Sequence, residues 1–196
     1  MSGASPLPAP SRDRLTALIA ESAHALTQDA RDAARLAAEA TKLATLVSDT
    51  GARARARYLE GRAAELALDE PAALEAYREA LALFQAVRDD VGRADALRGL
   101  GQVYDTLGDA PQALAHHLRA LAIAEDAGDV GAQAAAMRTI GIVHSRAGRP
   151  DVGLEWYQKS LALPGADGDP LESCNRSPCP SGSGLSACWK AASANR

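Results

Sequence analysis

The sequence predicts an all-α solenoid of about four antiparallel helical hairpins, and three observations carry that expectation. The chain aligns with itself at a shift of 40 residues, without gaps, from about residue 57 to residue 169. A fixed period of this length marks stacked supersecondary units. A helix-breaking turn returns at the same interval, as ALDEPAAL at 67–74, LGDAPQAL at 107–114 and AGRPDVGL at 147–154. Composition agrees: alanine is the commonest residue and aromatics make up only 4% of the 196, which favours helices in close approach through small side chains.

Within one unit, Leu97, Leu100, Gly101, Tyr104 and Leu107 fall at i, i+3, i+4, i+7 and i+10, along one helical stripe that is expected to be buried. Leu114, His117, Leu118 and Leu121 mark a second helix. Between them Gly108 can end the first helix in a left-handed conformation, Asp109 can cap the next, and Pro111 suits a first turn. The alignment brings Gly61, Gly101 and Gly141 into one column, then Ala73, Ala113 and Gly153, then Tyr77, His117 and Tyr157. Helices are predicted near 12–27, 31–48, 52–67, 71–88, 92–107, 111–127, 132–147 and 151–163. The first hairpin is the least regular, with Glu21 in the glycine column and Ala37 in the aromatic column, as suits a capping unit. A hairpin cannot cover its apolar face from within, so neighbouring hairpins must stack.

Leu97, Leu100, Gly101 and Tyr104 have the spacing W-x2-L-G-x2-Y with leucine in place of tryptophan, and Ala113 with His117 continues it as A-x3-F. Met137, Ile140, Gly141, His144, Gly153 and Tyr157 repeat the pattern more loosely. On these residues the chain resembles the tetratricopeptide repeat (TPR) family over about residues 12 to 163. The period exceeds the family's usual 34 and Glu125 stands where proline is frequent, so it is similar to the longer 40-residue variety of bacterial regulators and cell-polarity adaptors. The resemblance implies a right-handed superhelix with a concave groove that receives an extended or helical peptide.

Organisation follows from where the repeat holds: a disordered N-terminus at 1–10, the array at 11–164, and a tail at 165–196. Gly168 and Asp169 echo Gly128 and Asp129, after which the composition turns to Ser, Cys, Pro and Gly. The tail is either disordered by composition or an out-of-register replacement of a fifth repeat. In either case Leu154 and Leu161 lack a following neighbour, which leaves room for self-association and makes the last hairpin the loosest.

The net charge of −4 supplies no field to draw nucleic-acid phosphates. No apolar run approaches a membrane span, and MSGASPLPAP lacks the features of a secretory signal, so a cytoplasmic location is expected. Cys174, Cys179 and Cys188 lack the paired spacing of a zinc site. His116 and His117 are adjacent and so point about 100° apart on a helix. His117 is expected to be packed and hydrogen-bonded in the core, with His144 able to approach it across a repeat interface. No nucleophile elbow, phosphate loop or metal cluster is present, so no catalytic residue, metal or cofactor is expected. Junction carboxylates such as Asp89 and Asp129 are expected to cap helices, and Arg53, Arg55 and Arg57 of ARARARY to form a solvated surface.

The remaining polar stripe is the candidate site. Arg98, Gln102 and Asp105 follow i, i+4, i+7 spacing away from the buried stripe, and their counterparts are Tyr58, Arg62 and Glu65, then Arg138, Ile142 and Ser145. The resemblance places these nine residues in the groove. Stacking would bring Arg62, Arg98 and Arg138 together, which suits an acidic or carboxylate-bearing motif of a protein or peptide. The predicted function is a non-catalytic peptide-binding scaffold. The alternative is the N-terminal regulatory or sensor region of a longer bacterial signalling protein with a nucleotide-cyclase or transcriptional output, truncated near residue 170.

Overall fold

The computed structural model describes residues 9–163. Residues 1–8 and the predicted tail, with its three cysteines, lie outside the described residues. Eight helices follow in order: α1 (Ala9–Ala25), α2 (Ala30–Leu46), α3 (Thr50–Leu66), α4 (Glu70–Val87), α5 (Asp90–Thr106), α6 (Ala110–Asp126), α7 (Val130–Arg146) and α8 (Pro150–Leu161). They form an all-α solenoid of paired antiparallel helices, four hairpins in all. Each helix starts one to three residues before its predicted position, because the capping residue lies just inside the turn.

The turns show why. Asp29, Asp49, Asp69, Asp89, Asp109 and Asp129 are the N-caps of α2 to α7, each accepting an amide hydrogen bond on its side chain. The underlying spacing is therefore 20 residues, half the sequence period, since both helices of a hairpin begin alike. Asp89, Asp109 and Asp129 cap as expected. The residue before each cap from the second turn onward is left-handed: Ser48, Leu68 and Arg88 at φ 56–59°, then Gly108, Gly128 and Gly148 at 65–78°. Glycine adopts this freely, whereas the other three carry strain of about 1 kcal/mol each.

The seventh cap position breaks the series. Arg149 stands there, and α8 begins with no side-chain cap hydrogen bond. Arg149→Asp is expected to stabilise α8 by about 1 kcal/mol, since an aspartate there satisfies an orphan amide. Slower amide hydrogen exchange in the first turns of α8 is the readout, and unchanged exchange would refute it.

Rings on the second helix of each pair seat over glycines on the first. Tyr77 is fully buried between α3 and α5, and a Cβ on Gly61 or Gly99 would come within 2.7 or 2.5 Å of its ring. His117 lies on Gly101 in the same way, and Tyr157 on Gly141. At the α7–α8 crossing a Cβ on Gly153 would meet the Gly141 carbonyl at 2.7 Å, so the two backbones nearly touch. The glycine columns are thus packing positions, as read from the sequence.

Three expectations need correction. In the first hairpin α1 matches α3 at a shift of 41, so Ala20 and not Glu21 stands level with Gly61, and the buried polar residue is Ser22, which is level with Ala63 and donates to the Ala33 carbonyl at 2.9 Å. The extra position comes from the turn from α1 to α2, which is one residue longer than the next turn. Leu107, placed in the buried stripe, is 53% exposed because it is the C-cap of α5, where the chain leaves the interface. Leu118 is likewise exposed, about 100° around from the buried His117.

Adjacent helices pack in sequence along the stack, and in addition α1 touches α3 and α3 touches α5. Among α2, α4, α6 and α8 no pair makes a comparable contact. From α1 to α5 the odd-numbered helices are therefore the closer-packed, inner row of the stack. At the far end Leu161 is 66% exposed and Leu154 48%, whereas Leu121, one period before Leu161, is 5% exposed against Ala136 and Ile140 of α7.

Candidate functional site

The inner side is built from the solvent-facing stripes of α3, α5 and α7. On α3, the Arg62 guanidinium donates to the Tyr58 hydroxyl at 3.4 Å, and the Tyr58 ring lies 5.8 Å from that of Tyr77. Burial opposes the Arg62 charge, but Tyr58, and then Tyr77 and Glu65, outweigh it and hold its pKa above the ordinary value. Glu65 accepts a 2.6 Å hydrogen bond from the buried Tyr77 hydroxyl. Burial first, and then the Glu65 charge, raise the Tyr77 pKa. Glu65 thus anchors a core ring and is not a free groove acceptor.

On α5, Arg98 is paired with Asp95 one turn before it, at 2.8 Å. Asp95 is a groove residue that column matching from Arg98, Gln102 and Asp105 missed. Burial raises its pKa, against the lowering effect of Arg98 and of Arg62 from α3. Its signal in the sequence was only the i−3 position from Arg98. Gln102 is half-buried on the same stripe. The Asp105 side chain is 7% exposed and forms an ion pair with Arg146 of α7, bridging two inner helices.

On α7, Arg138 is half-buried and has no hydrogen-bond or ion-pair partner among the described residues. Ile142 is 41% exposed. Ser145 does not face the groove: its hydroxyl bonds the Gly141 carbonyl at 2.9 Å, and a Cβ on Gly153 of α8 would lie 2.2 Å from it. Of the nine candidate positions, six (Tyr58, Arg62, Arg98, Gln102, Arg138 and Ile142) are partly or well exposed on α3, α5 and α7. Glu65, Asp105 and Ser145, a turn further along, are taken up in packing. At the N-terminal end of the inner side a hollow of about 380 Å³ lies between α1 and α3, lined by Arg12, Leu15, Ile19 and Arg55 among others.

The ARARARY arginines are not merely solvated. Arg53 reaches Glu79 of α4 at 2.6 Å, and Arg57 binds both Glu79 and Glu60, which also accepts from Thr41 of α2 at 2.6 Å. Burial alone would raise the Glu79 pKa, but the two arginines hold it below the usual carboxylate range. The alternating arginines are thus a junction between three helices, and only Arg55 is mainly exposed.

His117 is 1% exposed with neither ring nitrogen hydrogen-bonded, so it is packed as expected but not hydrogen-bonded. Burial first, then the His116 and Arg98 charges, lower its pKa to about 4. Burial first, and then the Arg149 charge, lower the His144 pKa. Tyr104, read as core, is half-exposed: it stacks on His116 with ring centroids 5.4 Å apart and accepts from Arg78 at 2.6 Å. No group of three or more His, Cys, Asp or Glu residues that could hold a metal ion occurs among the described residues, and none of their helices is long and apolar enough to cross a membrane.

A curved stack of helical hairpins with an open, polar inner stripe defines a helical-repeat solenoid. The family model of the tetratricopeptide repeat matches residues 69–126 and 92–164, and the chain is a TPR-like helical repeat array. Solved structures agree on the fold. Aspartyl phosphate phosphatase F from Bacillus subtilis superposes with a TM-score of 0.75 at 15% identity, over 81% of this chain and 42% of that one. The apo form of RapI gives 0.74 at 17% identity, over 83% and 60%. The nearly identical TPR-like repeats of a kinesin light chain from Podosopora anserina give 0.67 at 14%, over 80% and 77%. The chain thus spans less than two thirds of the first two. No curated protein sequence matches it.

Proposed function

We propose that this chain is a non-catalytic scaffold of the 40-residue TPR variety that binds a protein or peptide segment along its inner face. The observation that supports the reading is the asymmetry of the stack: α1, α3 and α5 contact one another in turn while α2, α4, α6 and α8 do not, and Arg146 of α7 pairs with Asp105 of α5, so we read Tyr58, Arg62, Arg98, Gln102, Arg138 and Ile142 as facing one concave surface. Polar and aromatic groups on a rigid helical frame favour peptide recognition, because the frame spends little conformational entropy on binding. Selection from a random peptide library against the full chain tests this. Gln102→Trp, which fills the middle of the face, is expected to abolish binding of the selected peptides, and Arg119→Ala on the outer helix α6 to leave it unchanged. Peptides that bind the Gln102→Trp variant as well as the parent would sink the reading.

A second reading is that the array is the regulatory part of a longer bacterial signalling protein with a nucleotide-cyclase or transcriptional output. It is favoured by the chain spanning only 42% of the phosphatase and 60% of RapI. Under this reading the same face receives the signal.

A further inference from the structure

We propose that Arg138 and Ile142 of α7 form the anchoring subsite of the inner face, and that it takes a carboxylate flanked by an apolar side chain on the partner segment. This inference rests on the peptide-binding reading and names the chemistry of the partner.

The assignment follows from accounting for four guanidiniums of α3, α5 and α7 on the face. Arg62 is engaged by the Tyr58 hydroxyl and is acted on by Glu65. Arg98 is neutralised by Asp95 at 2.8 Å. Arg146 is committed to Asp105, whose side chain is almost fully buried, so that pair joins α5 to α7. Arg138 alone of the four has no partner among the described residues, yet it is half-buried. A guanidinium that has lost part of its hydration and gained no counter-ion binds a carboxylate more strongly than one already paired, because no internal ion pair must first be broken. Arginine's fork also matches a carboxylate with two parallel hydrogen bonds.

Ile142 lies one helical turn beyond Arg138 on the same stripe, and an exposed isoleucine there supplies apolar area beside the cation. The two together discriminate: an anionic group alone gains only the charge contact, and an apolar group alone gains only the area.

Fluorescence anisotropy with the full chain and labelled Gly/Ser peptides carrying adjacent Glu and Leu, Glu alone, Leu alone or neither is the test. The adjacent pair is expected to bind at least about tenfold tighter than either single residue, a difference of about 1.4 kcal/mol. Arg138→Ala should remove that preference with an unchanged thermal midpoint. The double variant Asp32→Asn, Arg35→Gln, which deletes a balanced pair on the outer helix α2, should stay within about threefold of the parent. Equal binding of all four peptides, or a larger loss in the double variant than in Arg138→Ala, would overturn the subsite. Binding that survives Gln102→Trp as well would remove the inner-face reading with it.

Discussion

Lowering the pH from neutrality to about 4 is expected to cost the fold about 3 kcal/mol through one side chain, His117. Its imidazole is buried in the α5–α6 hairpin with both nitrogens unpartnered, and burial, then His116, then Arg98 push its pKa from 6.5 to about 4. Above pH 6.5 both folded and unfolded chains hold it neutral, and it contributes nothing to the pH dependence. Between 6.5 and about 4 the unfolded chain takes up a proton that the folded chain refuses, so stability falls by about 1.4 kcal/mol per pH unit. Below the folded value the loss is complete. His117→Leu has similar volume and no polar atoms, so it should abolish this acid loss and add about 1–2 kcal/mol at neutral pH by removing two unsatisfied buried nitrogens. Urea unfolding of parent and variant at neutral pH and near pH 4.5 separates the His117 effect from that of the carboxylates, which both proteins share. Parallel acid losses in the two would show that the sensitive group lies elsewhere.

Tyr77→Ala is expected to destabilise by about 4 kcal/mol, the scale of deleting a buried aromatic ring. The ring fills the space between Gly61 of α3 and Gly99 of α5, so its loss opens a cavity across two hairpins and also strips Glu65 of its 2.6 Å donor. Tyr104→Ala should cost about 1 kcal/mol, because that ring is half-exposed and loses mainly its stack on His116 and its contact with Arg78. Thermal unfolding of the two variants compares them directly, and equal losses would contradict this arrangement. The contrast matters because Tyr104, by its motif position, had looked like the core ring.

That error shows what a one-dimensional pattern carries. Helix number, hairpin pairing and turn chemistry were legible because each is local: an aspartate accepts the amides of its own following turn, and a glycine at 108 adopts the left-handed conformation wherever its helix goes. The glycine and ring columns were legible as columns because stacking repeats the same contact every 40 residues. Which ring covers which glycine was not, since Tyr77 touches Gly61 within its own hairpin and Gly99 in the next. Ser22 was missed because one extra turn residue offsets α1, and a fixed-period comparison does not register a single-residue shift.

The candidate site divides along the same line. Its stripe of residues at i and i+4 was visible, because helical geometry alone puts Arg98 beside Gln102 and Arg138 beside Ile142. Which charges remain free was not. That Asp95 neutralises Arg98, that Asp105 holds Arg146 and that Ser145 turns to Gly153 depend on the rotation of each helix against its neighbours. By itself the sequence determined an all-α array of four hairpins with aspartate-capped turns, since caps and amphipathic stripes act within a few residues. Only the tertiary structure decided that Tyr77 is the central wedge, that His117 is buried without partners and that Arg138 is half-buried with no ion-pair partner among the described residues. Burial and charge pairing are properties of surfaces brought together from distant parts of the chain, and their distances do not exist until the hairpins have stacked.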